Sequence, residues 1–284
     1  MTSGTRSISA ISLIYHDVVE RSSHQASGFP SADAALYKLE PELFENHLKA
    51  IAASTSTRPI LVTELEAAGN GATAGPARPW MITFDDGGAS SHDPIAGLLE
   101  ARGWRGHFFM TTDYTGKPGF MSPGQIRDLH DRGHIIGTHS CSHPLRFASL
   151  SFERMRREWS DSAAALGDIL GEQVKIASLP GGQFSKKAAA AAAEAGIRVL
   201  FTSEPVVRME EVDGCLVIGR YSVQRWMAPA EAAGIATGRF APRFRQWIWW
   251  EFKKAAKAVG GEGYLRLREV LSATPESRSK GEKA

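Results

Sequence analysis

The stretch WMITFDDGG, Trp80–Gly88, decides how the chain is read. Five apolar or β-favouring residues run into two adjacent aspartates and two glycines. The apolar run predicts a buried strand, and Asp and Gly are ordinary residues for the turn that ends one. Adjacent carboxylates repel, and each raises the other's pKa unless a cation or a donor stands near. The pair is therefore either plain turn chemistry or a site where one carboxylate binds a metal and its neighbour handles a proton.

Working outward, further strands are predicted at 11–15, 107–111, 134–138, 175–179, 198–202 and 215–219. Helical segments lie between most of them. SPGQIRDLHDRG carries Ser122 as cap, Pro123 at the first helical position and Gly133 as stop; SKKAAAAAAEAG carries Ser185 and Gly196 in the same roles. Strands separated by helices predict a parallel sheet of βαβ units, and seven or eight units can close into a barrel whose reactive residues sit just past the strand ends. Residues 21–40 and 67–79 read as loops. Two domains are expected: a barrel over 1–225, and a basic, aromatic-rich helical extension over 226–284 with a disordered end.

The chain of 284 residues can bury a large core without staples. Its two cysteines, Cys141 and Cys215, make no disulfide framework. A formal charge of +2 gives no reason to expect nucleic acid as a partner. The N-terminus shows no signal-peptide pattern and no stretch is long and apolar enough to span a bilayer, so a cytoplasmic protein is expected, with a membrane-peripheral position as the variant.

Histidines and aspartates gather just past the strands: His16 after the first, Asp85 and Asp86 after the second, His139 and His143 after the fourth. A spacing of four predicts that His139 and His143 share one face of a helical turn. Two imidazoles and one carboxylate make an open, catalytic-type metal site. The alternative, two histidines decorating a loop, loses ground because an Asp pair ends another strand.

TFDDG followed by HSCSH (Thr83–Gly87 and His139–His143) resembles the polysaccharide deacetylases, the carbohydrate esterase family 4 or NodB-homology group, over about residues 75–220. GHFFM, GFMSPGQIRDLHDRGHIIGTHS and LPGGQFS extend the likeness. The resemblance implies an α/β fold, a distorted (β/α)7-type barrel with parallel strands and here a C-terminal helical appendix. It implies removal of acetyl groups from N-acetylated sugars of a polysaccharide or its precursor. It also implies a divalent metal, zinc first, cobalt or nickel next, held by Asp86, His139 and His143, with Asp85 as base. Gly87 and Gly88 would let the backbone turn so that both carboxylates face one spot.

Two family features are displaced. Ser178 and Leu179 stand where an arginine usually holds the base, and Arg220 stands where the last strand usually supplies an acid histidine. Circularly permuted members, similar to the poly-N-acetylglucosamine deacetylases, carry that histidine in an N-terminal strand that reads like YHDV. His16 in Tyr15–Val18 is then the expected acid, and Arg220 is expected to orient Asp85. A backbone N–H near Gly181 would meet the oxyanion. Trp226 would stack on a sugar or pack on the C-terminal helix. The competing readings are a catalytically impaired carbohydrate-binding relative and a hydrolase of another non-peptide C–N bond.

Cys141 is not expected to ligate, and His107, His130 and His134 are read as structural or surface residues. The segment WIWWEFKKAAK is expected to pack its aromatic stripe on the barrel; weak contact with an anionic membrane surface is the alternative.

Overall fold

The computed structural model describes residues 9–68, 78–144, 146–252 and 254. Two compact units divide at Arg243 and Phe244. Among the described residues the first contains nine strands: β1 (Ile11–Tyr15), β2 (Trp80–Phe84), β3 (His107–Met110), β4 (Ile135–Thr138), β5 (Ile176–Ser178), β6 (Val199–Phe201), β7 (Glu210–Val212), β8 (Cys215–Ile218) and β9 (Tyr221–Ser222). The helices are α1 (Ala32–Ala35), α2 (Pro41–Ser54), α3 (Val62–Ala68), α4 (Gly97–Glu100), α5 (Pro123–Asp131), α6 (Phe152–Leu170), α7 (Lys186–Glu194) and α8 (Pro229–Ala236).

All strands join one curled sheet in the order β7-β8-β6-β5-β4-β3-β2-β1-β9. Every pairing is parallel except β7 with β8. β8 pairs with β6 while β9 pairs with β1, and only Gly219 and Arg220 separate β8 from β9. One continuous piece of chain thus ties the two ends of the curl together and serves as its seventh wall. β7 is a charged, largely exposed antiparallel addition outside that wall.

Strand alternation sorts the core into two layers. Trp80, Ile82 and Phe84 of β2 pack under the helices with Phe108, while Met81 faces the barrel interior with Phe109 and Phe201. Both faces of β2 are buried, as a central parallel strand requires. Thr83 and Asp85 continue the Met81 side. Helix starts follow their caps: Ser122 and Gln125 form a reciprocal box on α5, and Ser185 accepts from the Ala188 N–H on α7.

The first unit continues past residue 225. Met227, Ala232, Ala233 and Ile235 join the main core, with α8 against α2 and β1. His47 on α2 fixes this contact: its Nε2–H donates to the Met227 carbonyl at 2.9 Å, and its Nδ1 accepts from the Tyr15 hydroxyl at 3.2 Å. In the second unit residues 244–252 are helical, and Trp249 and Phe252 are exposed. The expected disordered end lies outside the described residues. No described helix is long and apolar enough to cross a membrane.

Candidate metal centre

Asp85 follows β2 on the interior face and is held from its backbone outward, since its N–H donates to the Tyr15 carbonyl at 3.1 Å. Regular strand geometry would point Asp86 to the opposite side. Asp86 instead adopts φ +74° and Gly87 φ +79°, which swings the second carboxylate inward. Gly88 has an ordinary negative φ. Its lack of a side chain serves a different need from the turn expected of it: a Cβ there would overlap Oδ1 of Asp17.

His139 follows β4 and His143 lies in the loop beyond. The two rings stand 5.0 Å apart, but not on a helical turn. Left-handed φ values at Ser140 (+67°) and His143 (+53°) fold an irregular loop that brings them together. Nε2 of His139 lies 3.5 Å and Nε2 of His143 3.6 Å from Oδ1 of Asp86. One ligand atom from each of the three residues falls within 4.8 Å of the others.

These residues suit a divalent ion. His139 donates its Nδ1–H to the Ser178 carbonyl at 2.8 Å, which leaves the Nε2 lone pair facing the cluster. Burial pushes the His139 pKa down to about 3, so the ring is the neutral form that a metal ligand must be. Burial likewise lowers that of His143. Burial raises the Asp86 carboxyl to about 7, with Asp85 and Asp17 adding to the rise and His16 and Lys38 opposing it. A buried carboxylate among other carboxylates and neutral rings is short of positive charge, and a cation supplies it.

Asp85 has the opposite environment. Burial works to raise its pKa, but the buried Arg220 guanidinium holds it well below the usual carboxylate range. Arg220 reaches it with Nη1 at 2.7 Å from Oδ1 and Nη2 at 2.8 Å from Oδ2. The Ser178 hydroxyl donates to Oδ2 at 2.8 Å and accepts from Nη2 of Arg220 at 2.7 Å. Nε of Arg220 donates to the Thr202 carbonyl, and Nη1 also to the Thr83 hydroxyl. The serine and the displaced arginine therefore stand together around Asp85.

His16 follows β1, the neighbour of β2, so it lies beside Asp85. Its ring packs on Tyr37 at 4.9 Å, and its Nδ1 is buried without a hydrogen-bond partner. The structure thus gathers His16, Asp85, Asp86, His139, His143 and Arg220. Gly181 lies exposed past β5 with φ +67°, and Trp226 is 61% exposed. Among the described residues, neither makes a hydrogen bond or ring contact with that cluster.

Three supports escape sequence reasoning. Glu158 of α6 is buried and accepts from the N–H groups of Cys141 and Ser142 and from the Ser142 hydroxyl, which braces the loop between the two histidines. Asp17 accepts from the Ser27 and Ser90 hydroxyls. Lys38 donates to the His24 and Ser27 carbonyls and lies 4.0 Å from Asp17. None has a spacing that signals its role; the position of Asp17 next to His16 was the one available hint. Cys141 turns its thiol to the Glu158 carbonyl and is not part of the group formed by Asp86, His139 and His143. His107 and His134 are buried in structural hydrogen bonds, and His130 pairs with Glu172.

The polysaccharide deacetylase family matches residues 72–200. The chain is 24% identical over 160 residues to YxkH of Bacillus subtilis (strain 168), which is named for polysaccharide deacetylase activity; the match covers 56% of this chain and 55% of that protein. The chain thus spans about half the length of that curated relative. The Streptococcus pyogenes deacetylase PplD, solved in complex with acetate, superposes with a TM-score of 0.66 at 19% identity, over 78% of this chain and 96% of that one. IcaB from Ammonifex degensii gives 0.65 at 20% identity, over 80% and 97%. At these identities the likeness to the two structures establishes the fold.

Proposed function

We propose, for a chain whose residues 72–200 match the polysaccharide deacetylase family, a metal-dependent hydrolase that removes acetyl groups from N-acetylated sugars of a polysaccharide or its precursor. The observation that carries this reading is the contrast between two adjacent carboxylates. Asp86 is short of positive charge and shares a cluster with two neutral imidazoles, while Asp85 is paired with Arg220 and Ser178 and kept ionised. Asp86, His139 and His143 would hold the ion, zinc by preference, with cobalt or nickel as substitutes. Such an ion, when bound, polarises an acetyl carbonyl and lowers the pKa of water toward neutrality.

This chain's own groups do the rest. Oδ2 of Asp85 already accepts from Arg220 and Ser178, whereas Oδ1 accepts from Arg220 alone. Oδ1 therefore has a lone pair left to take a proton from the attacking water. Arg220 keeps Asp85 charged and fixes its plane; the same pairing makes it a weak base, so its competence comes from position. His16 delivers a proton to the departing nitrogen. A backbone N–H near Gly181 would meet the developing oxyanion, and Trp226 offers an exposed ring to a sugar. For the helix over 244–252, the exposed Trp249 and Phe252 make weak contact with an anionic surface the interaction to examine.

The test is acetate release from N-acetylglucosamine oligomers by protein loaded with zinc, cobalt or nickel, against a chelated control. Metal-dependent release supports the reading. Binding of the oligomers with no release under any ion would favour the carbohydrate-binding alternative.

A further inference from the structure

Phe29, Tyr114 and Phe120 form a ring cluster beside the metal centre. Phe29 lies 4.8 Å from the His143 ring, 4.8 Å from Tyr114 and 5.2 Å from Phe120, and Tyr114 lies 4.9 Å from Phe120. All three stay partly exposed, whereas the core rings Phe84, Phe108 and Phe109 are fully buried. They come from two loops: Phe29 from the segment after β1, Tyr114 and Phe120 from the segment after β3.

The chain fixes these loops firmly. The N–H groups of Gly28 and Ala89 both donate to the Gly119 carbonyl, at 2.8 and 2.9 Å, so the loops after β1, β2 and β3 meet at one atom. Asp17, Lys38, Ser27 and Ser90 pin the residues just before Phe29 from beneath. A Cβ at Gly28 would overlap the Asp17 carboxylate. Here a buried ionic network holds three rings half open at the edge of a metal centre.

We propose that Phe29, Tyr114 and Phe120 are the wall on which a pyranose unit of the substrate stacks while its acetyl group lies at Asp86, His139 and His143. This rests on the deacetylase reading and deepens it by naming how the sugar is recognised. One face of a pyranose is lined by C–H groups of slight positive charge, which suit the negative face of an aromatic ring. The polar edge of the sugar stays in water at a rim of this kind.

Phe120→Ala tests the wall, because Phe120 makes no ring contact with a metal ligand; Phe120→Tyr is the conservative partner. The readout is the kcat/KM for the pentamer of N-acetylglucosamine divided by that for 4-nitrophenyl acetate, which has no sugar. We expect the ratio to fall about tenfold in Phe120→Ala, or about 1.4 kcal/mol, through a rise in KM for the pentamer, with equal metal content. Phe120→Tyr should restore it. An unchanged ratio overturns the proposal, whether both activities hold or both fall together. If the metal-loaded wild type releases no acetate from the pentamer, the deacetylase reading fails, and calorimetric binding of the pentamer judges the wall alone. Binding about tenfold weaker in Phe120→Ala supports it; equal affinity, or no binding by the wild type, overturns it.

Discussion

Arg220 and Asp85 share a two-pronged ion pair, Nη1 to Oδ1 at 2.7 Å and Nη2 to Oδ2 at 2.8 Å, with both side chains buried. The arginine stands at the two-residue break between β8 and β9, where the curled sheet is tied shut. The same residue thus closes the barrel and orients the carboxylate. A lysine keeps the charge but cannot supply the fork. Arg220→Lys should lower kcat for acetate release about a hundredfold while metal stays bound. Arg220→Ala leaves Asp85 buried and unpaired, which costs roughly 3–5 kcal/mol of stability, read from denaturant midpoints. Full activity in Arg220→Lys would remove the orienting role.

Glu158 should control metal affinity without touching the ion. It fixes two N–H groups between the histidine ligands, and loss of such a support typically weakens metal binding about 10–100-fold. Glu158→Ala should show this in competition with a chelating dye, and Glu158→Gln, which keeps one acceptor oxygen, should fall between. Wild-type affinity in both would mean that the loop holds its shape unaided.

His16 as proton donor predicts dependence on the leaving group. An amine leaves poorly without a proton, while nitrophenolate leaves readily. His16→Ala should cut acetate release from the N-acetylglucosamine pentamer by about 10²–10⁴-fold and hydrolysis of 4-nitrophenyl acetate much less. Equal losses on the two substrates would assign His16 a structural part.

Stability should decline on the acid side. His107 is buried, its Nδ1–H donating to the Ile82 carbonyl and its Nε2 accepting from the Val62 N–H. Burial pushes its pKa from 6.5 down to about 4. Because the folded value lies below the unfolded one, the unfolded chain binds the extra proton between pH 6.5 and 4. The stabilisation is therefore present above pH 6.5 and is lost as pH falls through that window, by an amount of order 3 kcal/mol. Urea midpoints measured from pH 7.5 to 4.5 should fall, and His107→Gln should flatten the decline while lowering stability at pH 7.5. An unchanged slope in the variant would assign the decline to other groups.

The sequence made legible whatever depends on runs and neighbours. The seven strand runs are there, with ends shifted by a residue or so, because apolar runs between turn residues record burial directly. β9 escaped because two residues carry no period, and β7 because a charged, exposed strand does not read as one. The histidine pair was visible but its geometry was not: spacing suggested a helical turn, whereas positive φ at Ser140 and His143 makes the loop. Gly88 looks like a turn glycine, but its backbone is extended and it is glycine because a side chain would have no room beside Asp17. Glu158 and Lys38 could not be found, since what they hold is set by packing between segments far apart in the chain. The compact unit passes residue 225 to Arg243 because α8, nearly all small and apolar, has its burial in α2 rather than in any local signal.

The claim beneath all of this is that Asp86, His139 and His143 grip one divalent cation together. Elemental analysis of purified wild type, Asp86→Asn and Asp85→Asn after incubation with zinc and desalting tests it most directly. The account predicts about one ion per chain in the wild type and in Asp85→Asn, whose acetate release is nonetheless lost, and none in a folded Asp86→Asn. Stoichiometric zinc retained by Asp86→Asn would contradict it.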